Sequence, residues 1–208
     1  MKPISIIFLM LIMTSFSLST YSQLTFGLKG GVSIATWDAR DTEFRSISGY
    51  IVGTNFAAVL DIGIYEDVSL LSEINLIQKG YTGILMNNMD LDINFKLNYL
   101  QLPVHAKYSF GNDKIGGFIL AGAYLGFGIS SREESCLGEN CSVFSRGLTS
   151  RNPGWNRPDW GISIGGGLLF NERFFVDVRY GYGFLLVMTG VNSRNRGIEI
   201  SGGYFFGK

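Results

Sequence analysis

Phe174-Phe175-Val176-Asp177-Val178-Arg179-Tyr180-Gly181-Tyr182-Gly183-Phe184 is the stretch whose reading decides the fold. Its even positions are Phe, Val, Val, Tyr, Tyr and Phe, and the odd positions that oppose them are Asp177, Arg179, Gly181 and Gly183. Neighbouring side chains of an extended chain point to opposite faces, so this segment reads as a strand with one greasy face and one charged or bare face.

The period of two recurs along the chain. It runs through Leu24 to Ile34, Val52 to Ile64, Val68 to Leu76, Leu100 to Phe110, Trp160 to Phe170 and Ile198 to Phe206. Ile115 to Ile129 alternates less cleanly and completes a set of eight strands. One irregularity breaks the rhythm: Ile93, Phe95, Leu97 and Tyr99 are odd-numbered, whereas the apolar residues from Leu100 onward are even. Either a β-bulge near Tyr99 or a strand leaving the membrane zone produces such a flip.

The connections alternate too. Those at Tyr65 to Asp67, Gly111 to Lys114 and Asn171 to Arg173 are short, and those at Ala35 to Ser48, Tyr81 to Asp92, Ser130 to Asp159 and Val187 to Arg196 are long and polar. Short periplasmic turns, long external loops and an even strand number describe an all-β, eight-stranded, antiparallel up-and-down transmembrane β-barrel with both termini inside.

Charge decides which face meets lipid. Lys29, Asp61, Glu73, Lys107, Asp177, Arg179 and Glu199 all fall on the face opposite the apolar one, as does the single histidine, His105. A soluble lipocalin-like barrel would turn its apolar face inward. A Lys or Arg in lipid costs ~2 to 4 kcal/mol at the midplane, so the charges belong inside, where they must pair with one another. Eight strands leave an interior that side chains just fill, which predicts no open solute pore. Tyr50, Tyr108, Phe110, Trp160, Phe170, Tyr204 and Phe206 sit at strand ends, where they serve as interfacial girdles or simply as good strand formers.

Composition supports the membrane reading: 28 Gly, 14% aromatic and only 16% charged residues. The N-terminus, with Lys2, an apolar run from Ile4 to Met13 and small residues up to Ser22, has the layout of a secretory signal peptide over residues 1–22. The run is too short for a spanning helix. A single barrel domain, residues 23–208, is expected after it. Net charge is zero with Lys and Arg scattered singly, which gives no footprint for nucleic acid.

Cys136 and Cys141 lie five positions apart in a polar stretch without a nearby His or third Cys, which in an exported chain favours a loop disulfide over a metal site. The surrounding connection also carries Arg146, Arg151, Trp155 and Arg157, and long loops on a rigid scaffold are where binding usually resides. The loop is thus either the candidate binding element or an unselective one. His105 reads as a member of the interior network rather than a general base. No Ser/His/Asp set lies at the outer rim, and Gly165-Gly166-Gly167 falls within a strand rather than ahead of a helix. Catalysis, cofactors and metals are not expected.

Several segments together resemble the PorT-like outer-membrane β-barrel family of Bacteroidota: Gly27-Leu28-Lys29-Gly30-Gly31, Ser72-Glu73 through Gln78-Lys79-Gly80, Tyr99-Leu100-Gln101-Leu102-Pro103 through Lys107-Tyr108, Leu120-Ala121-Gly122 through Gly126, and Arg179-Tyr180-Gly181-Tyr182. The family often has an acidic residue where this chain has Gln101. The resemblance implies an eight-stranded outer-membrane barrel whose C-terminal aromatic strand is read by the barrel-assembly machinery, although here Gly207 and Lys208 follow Phe206. A namesake of the family is linked to protein secretion.

Three roles are open at this stage, in descending order: a structural or surface-interaction barrel, a component of an outer-membrane transport or secretion complex, and a barrel enzyme. The expected partners are outer-membrane lipid, the assembly machinery during biogenesis, and an extracellular or envelope protein. If Cys136 and Cys141 are bonded, non-reducing mass analysis will find the chain two hydrogens lighter than after reduction; thiol labelling of the folded, unreduced protein would contradict it.

Overall fold

A computed structural model of the chain describes residues 24–39, 48–86, 90–137, 140–147, 156–188 and 191–206. The expected signal peptide, and Arg151 and Trp155 of the expected binding loop, lie outside the described residues. Among the described residues there are ten strands: β1 (Leu24–Ala39), β2 (Ser48–Gly49), β3 (Ile51–Tyr65), β4 (Val68–Met86), β5 (Asp90–Gly111), β6 (Ile115–Leu137), β7 (Asn140–Gly147), β8 (Pro158–Phe170), β9 (Phe174–Met188) and β10 (Val191–Phe206). Eight of them form a closed antiparallel ring in the order β1-β3-β4-β5-β6-β8-β9-β10, with β10 returning to pair with β1.

The other two are additions. The two-residue β2 pairs with β4, and β7 pairs with β6. The sequence reading ended the strands too early, because the ladders continue beyond the apolar zone: β4 reaches Met86, β5 begins at Asp90, and the expected loop from Ser130 begins as a hairpin of β6 and β7. Above the lipid the outward face meets water, so its alternation loses the apolar partner on which the sequence reading relied.

Alternation is strict where the ring is complete. Phe26, Leu28, Val52, Phe56, Ile74, Leu102, Ile119, Ile164, Val178 and Ile200 are exposed on the outside, and Lys29, Asn55, Glu73, His105, Asp177 and Arg179 are buried within. Aromatic rings gather at the rims, with Tyr204 at 4.8 Å from Phe174 and 5.2 Å from Phe206 near the short turns, and Trp160 at 4.8 Å from Phe184 near the other end.

The flip at Tyr99 has a different cause from a change of facing in β5. Phe95, Leu97 and Tyr99 are buried like Gln101, His105 and Lys107, so the odd side of β5 faces inward throughout. What changes is the medium. Outside, Asn94, Lys96 and Asn98 have left the lipid, and inside, the apolar residues join Trp37, Ile77 and Val187 in a cluster that plugs the outer end. A second plug, Val59, Leu71, Phe118, Leu120, Phe175 and Phe205, fills the end nearer the short turns. A bulge does exist beside this position, but in β6: the β5–β6 register slips by one residue between Asn98 and Tyr99, and β6 carries the extra residue.

Val178 is 52% exposed and Arg179 is buried. Replacing Val178 or Ile74 with Arg is expected to cost ~2 to 4 kcal/mol if the site is near the midplane. A fluorophore on a cysteine at position 178, but not at 179, should be quenched by spin-labelled acyl chains; the reverse pattern would turn the barrel inside out.

Candidate functional site

Between the two plugs lies a polar layer. At its centre, β1 supplies Lys29, β4 supplies Glu73, and β9 supplies Asp177 and Arg179. These strands are not neighbours in the ring, so their side chains meet across the lumen. Lys29 Nζ lies 2.9 Å from Glu73 Oε2 and 3.9 Å from Asp177 Oδ2. The Arg179 guanidinium lies 2.7 Å from Glu73 Oε1 and 2.5 Å from Asp177 Oδ2. Charges alternate around this quartet, and its four side chains are essentially inaccessible to solvent. Bare positions opposite make room for it: a Cβ at Gly165 would stand 2.8 Å from Arg179 Cγ.

Two satellite pairs flank the quartet. Lys107 is paired with Asp61 and lies over the rings of Phe118 and Phe205, at 5.4 and 5.5 Å, against one plug. Toward the other plug, Lys79 Nζ is 3.1 Å from Asp159 Oδ2 and 4.4 Å from the Tyr124 ring centre. Asp159 Oδ2 also accepts from Asn195 Nδ2 at 3.2 Å, and that amide reaches the Tyr99 hydroxyl at 3.2 Å. Lys79 stands on the polar face where period two placed it, whereas Asp159, Asn195, Tyr99 and Tyr124 were not expected in the network from the sequence. Parity was the available signal for Asp159 and Asn195, which precede Gly161 and Glu199 on the inward side of β8 and β10.

The two remaining interior residues of that list are less engaged. Glu199 accepts a hydrogen bond from Asn75 Nδ2 at 3.4 Å and has no cation within salt-bridge distance among the described residues. His105 Nε2 lies 2.6 Å from Ser163 Oγ, while its buried Nδ1 has no hydrogen-bond partner among the described residues. Both line an interior cavity of about 20 Å³, bounded also by Lys79, Gln101 and Ser163, which is room for a water and little more.

Outside the ring, Cys136 and Cys141 stand opposite each other across the β6–β7 hairpin, with a Cα–Cα separation of 4.1 Å, and are bonded. Glu134 lies beside the two sulfurs, but a disulfide offers no thiolate to a metal. The binding-loop arginines separate. Arg146 is exposed on β7, whereas Arg157 is held to the barrel wall, 4.1 Å over the Phe127 ring, with its Nε donating to Gly128 O at 3.2 Å.

In keeping with this closed ring, the chain matches the family model of the outer membrane protein beta-barrel domain over residues 15–186. The chain belongs to this family. Its place is the bacterial outer membrane, and the apolar outer band is its lipid-facing surface. Among solved structures it is similar to Neisserial surface protein A, at 15% identity over 88% of this chain and 99% of that one, with a TM-score of 0.47. It is also similar to OprG from Pseudomonas aeruginosa, at 12% identity over 90% and 98% with a TM-score of 0.47. Ail, the attachment invasion locus protein of Yersinia pestis, in complex with the heparin analogue sucrose octasulfate, is 13% identical over 88% and 99% with a TM-score of 0.45. Comparison with curated proteins gives no match.

The quartet makes an asymmetric prediction about two interior glutamates of this outer-membrane barrel. Glu73→Ala strips both Lys29 and Arg179 of their shared carboxylate and should destabilise by roughly 3 to 5 kcal/mol, the cost of orphaning buried charge. Glu199→Ala, at a carboxylate without an ion pair, should cost clearly less. Urea unfolding of the refolded protein in micelles checks this; equal losses would mean that the quartet is not the centre of the network.

Proposed function

We propose that this protein is a surface-interaction barrel: a closed membrane anchor that presents the β6–β7 hairpin as its recognition element, without catalytic activity. The single observation that carries this reading is the hairpin itself. β6 is 23 residues long, where ~9 to 11 suffice to cross the membrane, and all eight residues of β7 are exposed, including Val143 at 48% and Phe144 at 59%. A cross-strand disulfide near the tip fixes its shape, which lowers the entropy lost when a partner binds.

The interior supports the same reading. Two apolar plugs and the ion-paired layer between them favour a sealed anchor over a solute pore. The Ser163–His105 pair has no acid on His105 Nδ1 and opens on a space no larger than a water, so it reads as a structural contact rather than a nucleophile and base. Membership of the PorT-like group within the family is the finer reading, supported by the order of its motifs from Gly27 to Tyr182. Assembly through the barrel-assembly machinery follows from that resemblance. A place in a transport or secretion complex is the alternative, and it differs in where the partner sits.

A photo-crosslinker at Phe144 in living cells is therefore expected to trap an extracellular or envelope protein, and the adduct should disappear when residues 133–146 are replaced by a short turn in a barrel that still reaches the outer membrane. Adducts only from crosslinkers at the short turns, at Asp67, Asp113 or Glu172, would overturn the arm reading in favour of a periplasmic complex.

A further inference from the structure

The outward face of the wall formed by β4, β5 and β6 changes character at one level. Leu76 pairs with Leu100, and Leu100 with Phe127, all exposed and apolar. One step higher, Gln78 pairs with Asn98, and Asn98 with Ser130. That row marks the boundary between hydrocarbon and head groups. In the next row outward, Lys96 stands directly opposite Arg132. Like charges opposed across a ladder are destabilising unless an anion lies between them.

The β6 bulge creates this opposition. Below it the odd residues of β6 face outward, among them Leu125 and Phe127; Ile129 is the extra residue, and above it the register has moved by one, so Arg132 shares the outer face with Lys96. With the lower register continued, Lys96 would face Ser131 and Arg132 would turn inward. On the other side of Lys96 the ladder partner is Gly80, which brings no side chain to the outer face. An outward cleft of about 560 Å³ lies here, lined by Gln78, Lys96, Asn98, Ser130, Arg132 and Arg146, among others.

Among the described residues these two cations have no ion-pair partner. Arg196 is paired with Asp38, and Arg157 and Arg194 donate to main-chain carbonyls, but among the described residues neither Lys96 nor Arg132 has a carboxylate within 4.0 Å. Glu134, the acid lining the cleft, forms no ion pair with either. Ser130 Oγ accepts from Asn98 Nδ2 at 2.8 Å, which leaves its proton for a third group. We propose that this cleft holds a phosphate of an outer-leaflet lipid head group, with Lys96 and Arg132 as its paired cations and the Ser130 hydroxyl as a donor. Position selects the lipid source: the cations stand one row above the apolar band, at the height where the head groups of lipids packed against Leu76, Leu100 and Phe127 must lie. The inference is independent of what the β6–β7 hairpin recognises.

The test uses the full chain refolded in neutral detergent and titrated, by native mass spectrometry, with bisphosphorylated lipid A, its dephosphorylated form and inorganic phosphate. The wild type should retain the phosphorylated lipid, and Lys96→Gln with Arg132→Gln should weaken binding about thirty-fold, for two cations lost at a membrane surface. The dephosphorylated lipid should bind the wild type no better than the phosphorylated one binds the double variant. In detergent without phosphate the double variant should unfold at no lower urea concentration than the wild type, since it relieves repulsion; that separates lost binding from misfolding. Equal retention of both lipids, or of the phosphorylated lipid by both proteins, would overturn the proposal. Displacement of the lipid by equimolar inorganic phosphate would reduce it to a free-anion site and overturn the lipid assignment, and a less stable double variant in neutral detergent would refute the opposed-charge premise.

Discussion

The ladder between β1 and β10, which runs from Phe26 opposite Phe206 to Ala39 opposite Ser193, joins the two ends of the sheet into a tube. Within hydrocarbon no water is present to satisfy an unpaired amide, so a sheet can enter the membrane only when it has no edge. Closure then imposes the rest. Once the tube exists, each side chain points either to lipid or to a lumen too narrow for bulk water, and the two-residue period of the sequence becomes a choice between two solvents. The lipid side tolerates almost no charge. Charges retained within the membrane zone are thereby confined inside, and there they must find one another.

The quartet of Lys29, Glu73, Asp177 and Arg179 meets that requirement by placing each cation against both carboxylates. Such a cluster is not the cheapest filling, because desolvating buried ions can cost as much as their attraction returns, and apolar packing is often as good. The two plugs show that this chain also packs apolar side chains in its lumen. What the ions add is specificity of register: a one-residue slip of any of the three strands would turn Lys29, Glu73 or Arg179 into lipid, whereas a slipped apolar plug would lose only contacts. The polar layer thus penalises misregistered tubes at the level where the membrane makes the penalty largest.

How much of this was legible follows from the same two solvents. In the membrane zone, period two identified the strands, their facing and the charged lumen, because Val178 beside Arg179 or Ile74 beside Glu73 leaves no other arrangement that satisfies both faces. The reading failed where one solvent was replaced. Above the lipid, Asn94, Lys96 and Asn98 lie on the outside opposite Phe95 and Leu97 on the inside, so the contrast survives with its sign inverted and looks like a flipped strand. Asp159 was missed for a related reason: it stands at the start of β8, after a polar run in which one more acid carries no periodic signal. Pairings such as Lys79 with Asp159 depend on which strands lie across the tube, and no spacing along the chain encodes that.

The β6 strand shows how one residue reconciles two tasks. Its lower half must set Phe118, Leu120 and Tyr124 into the lumen and Leu125 and Phe127 into lipid, and its upper half must carry a hairpin standing in water. A single unbroken register would carry even-numbered Arg132 and Glu134 to the lumen side, against the apolar outer plug built by Phe95, Leu97 and Trp37. The extra residue at the bulge reverses the phase at the membrane boundary, so Arg132 and Glu134 emerge outward and Ser131, Glu133 and Ser135 take the inner side. β5 needs no such correction, because its own composition inverts at the same height. The wall is continuous in its hydrogen bonds, yet its two strands cross the boundary by different means, one by changing residues and the other by changing register, and the opposition of Lys96 to Arg132 is where the two solutions meet.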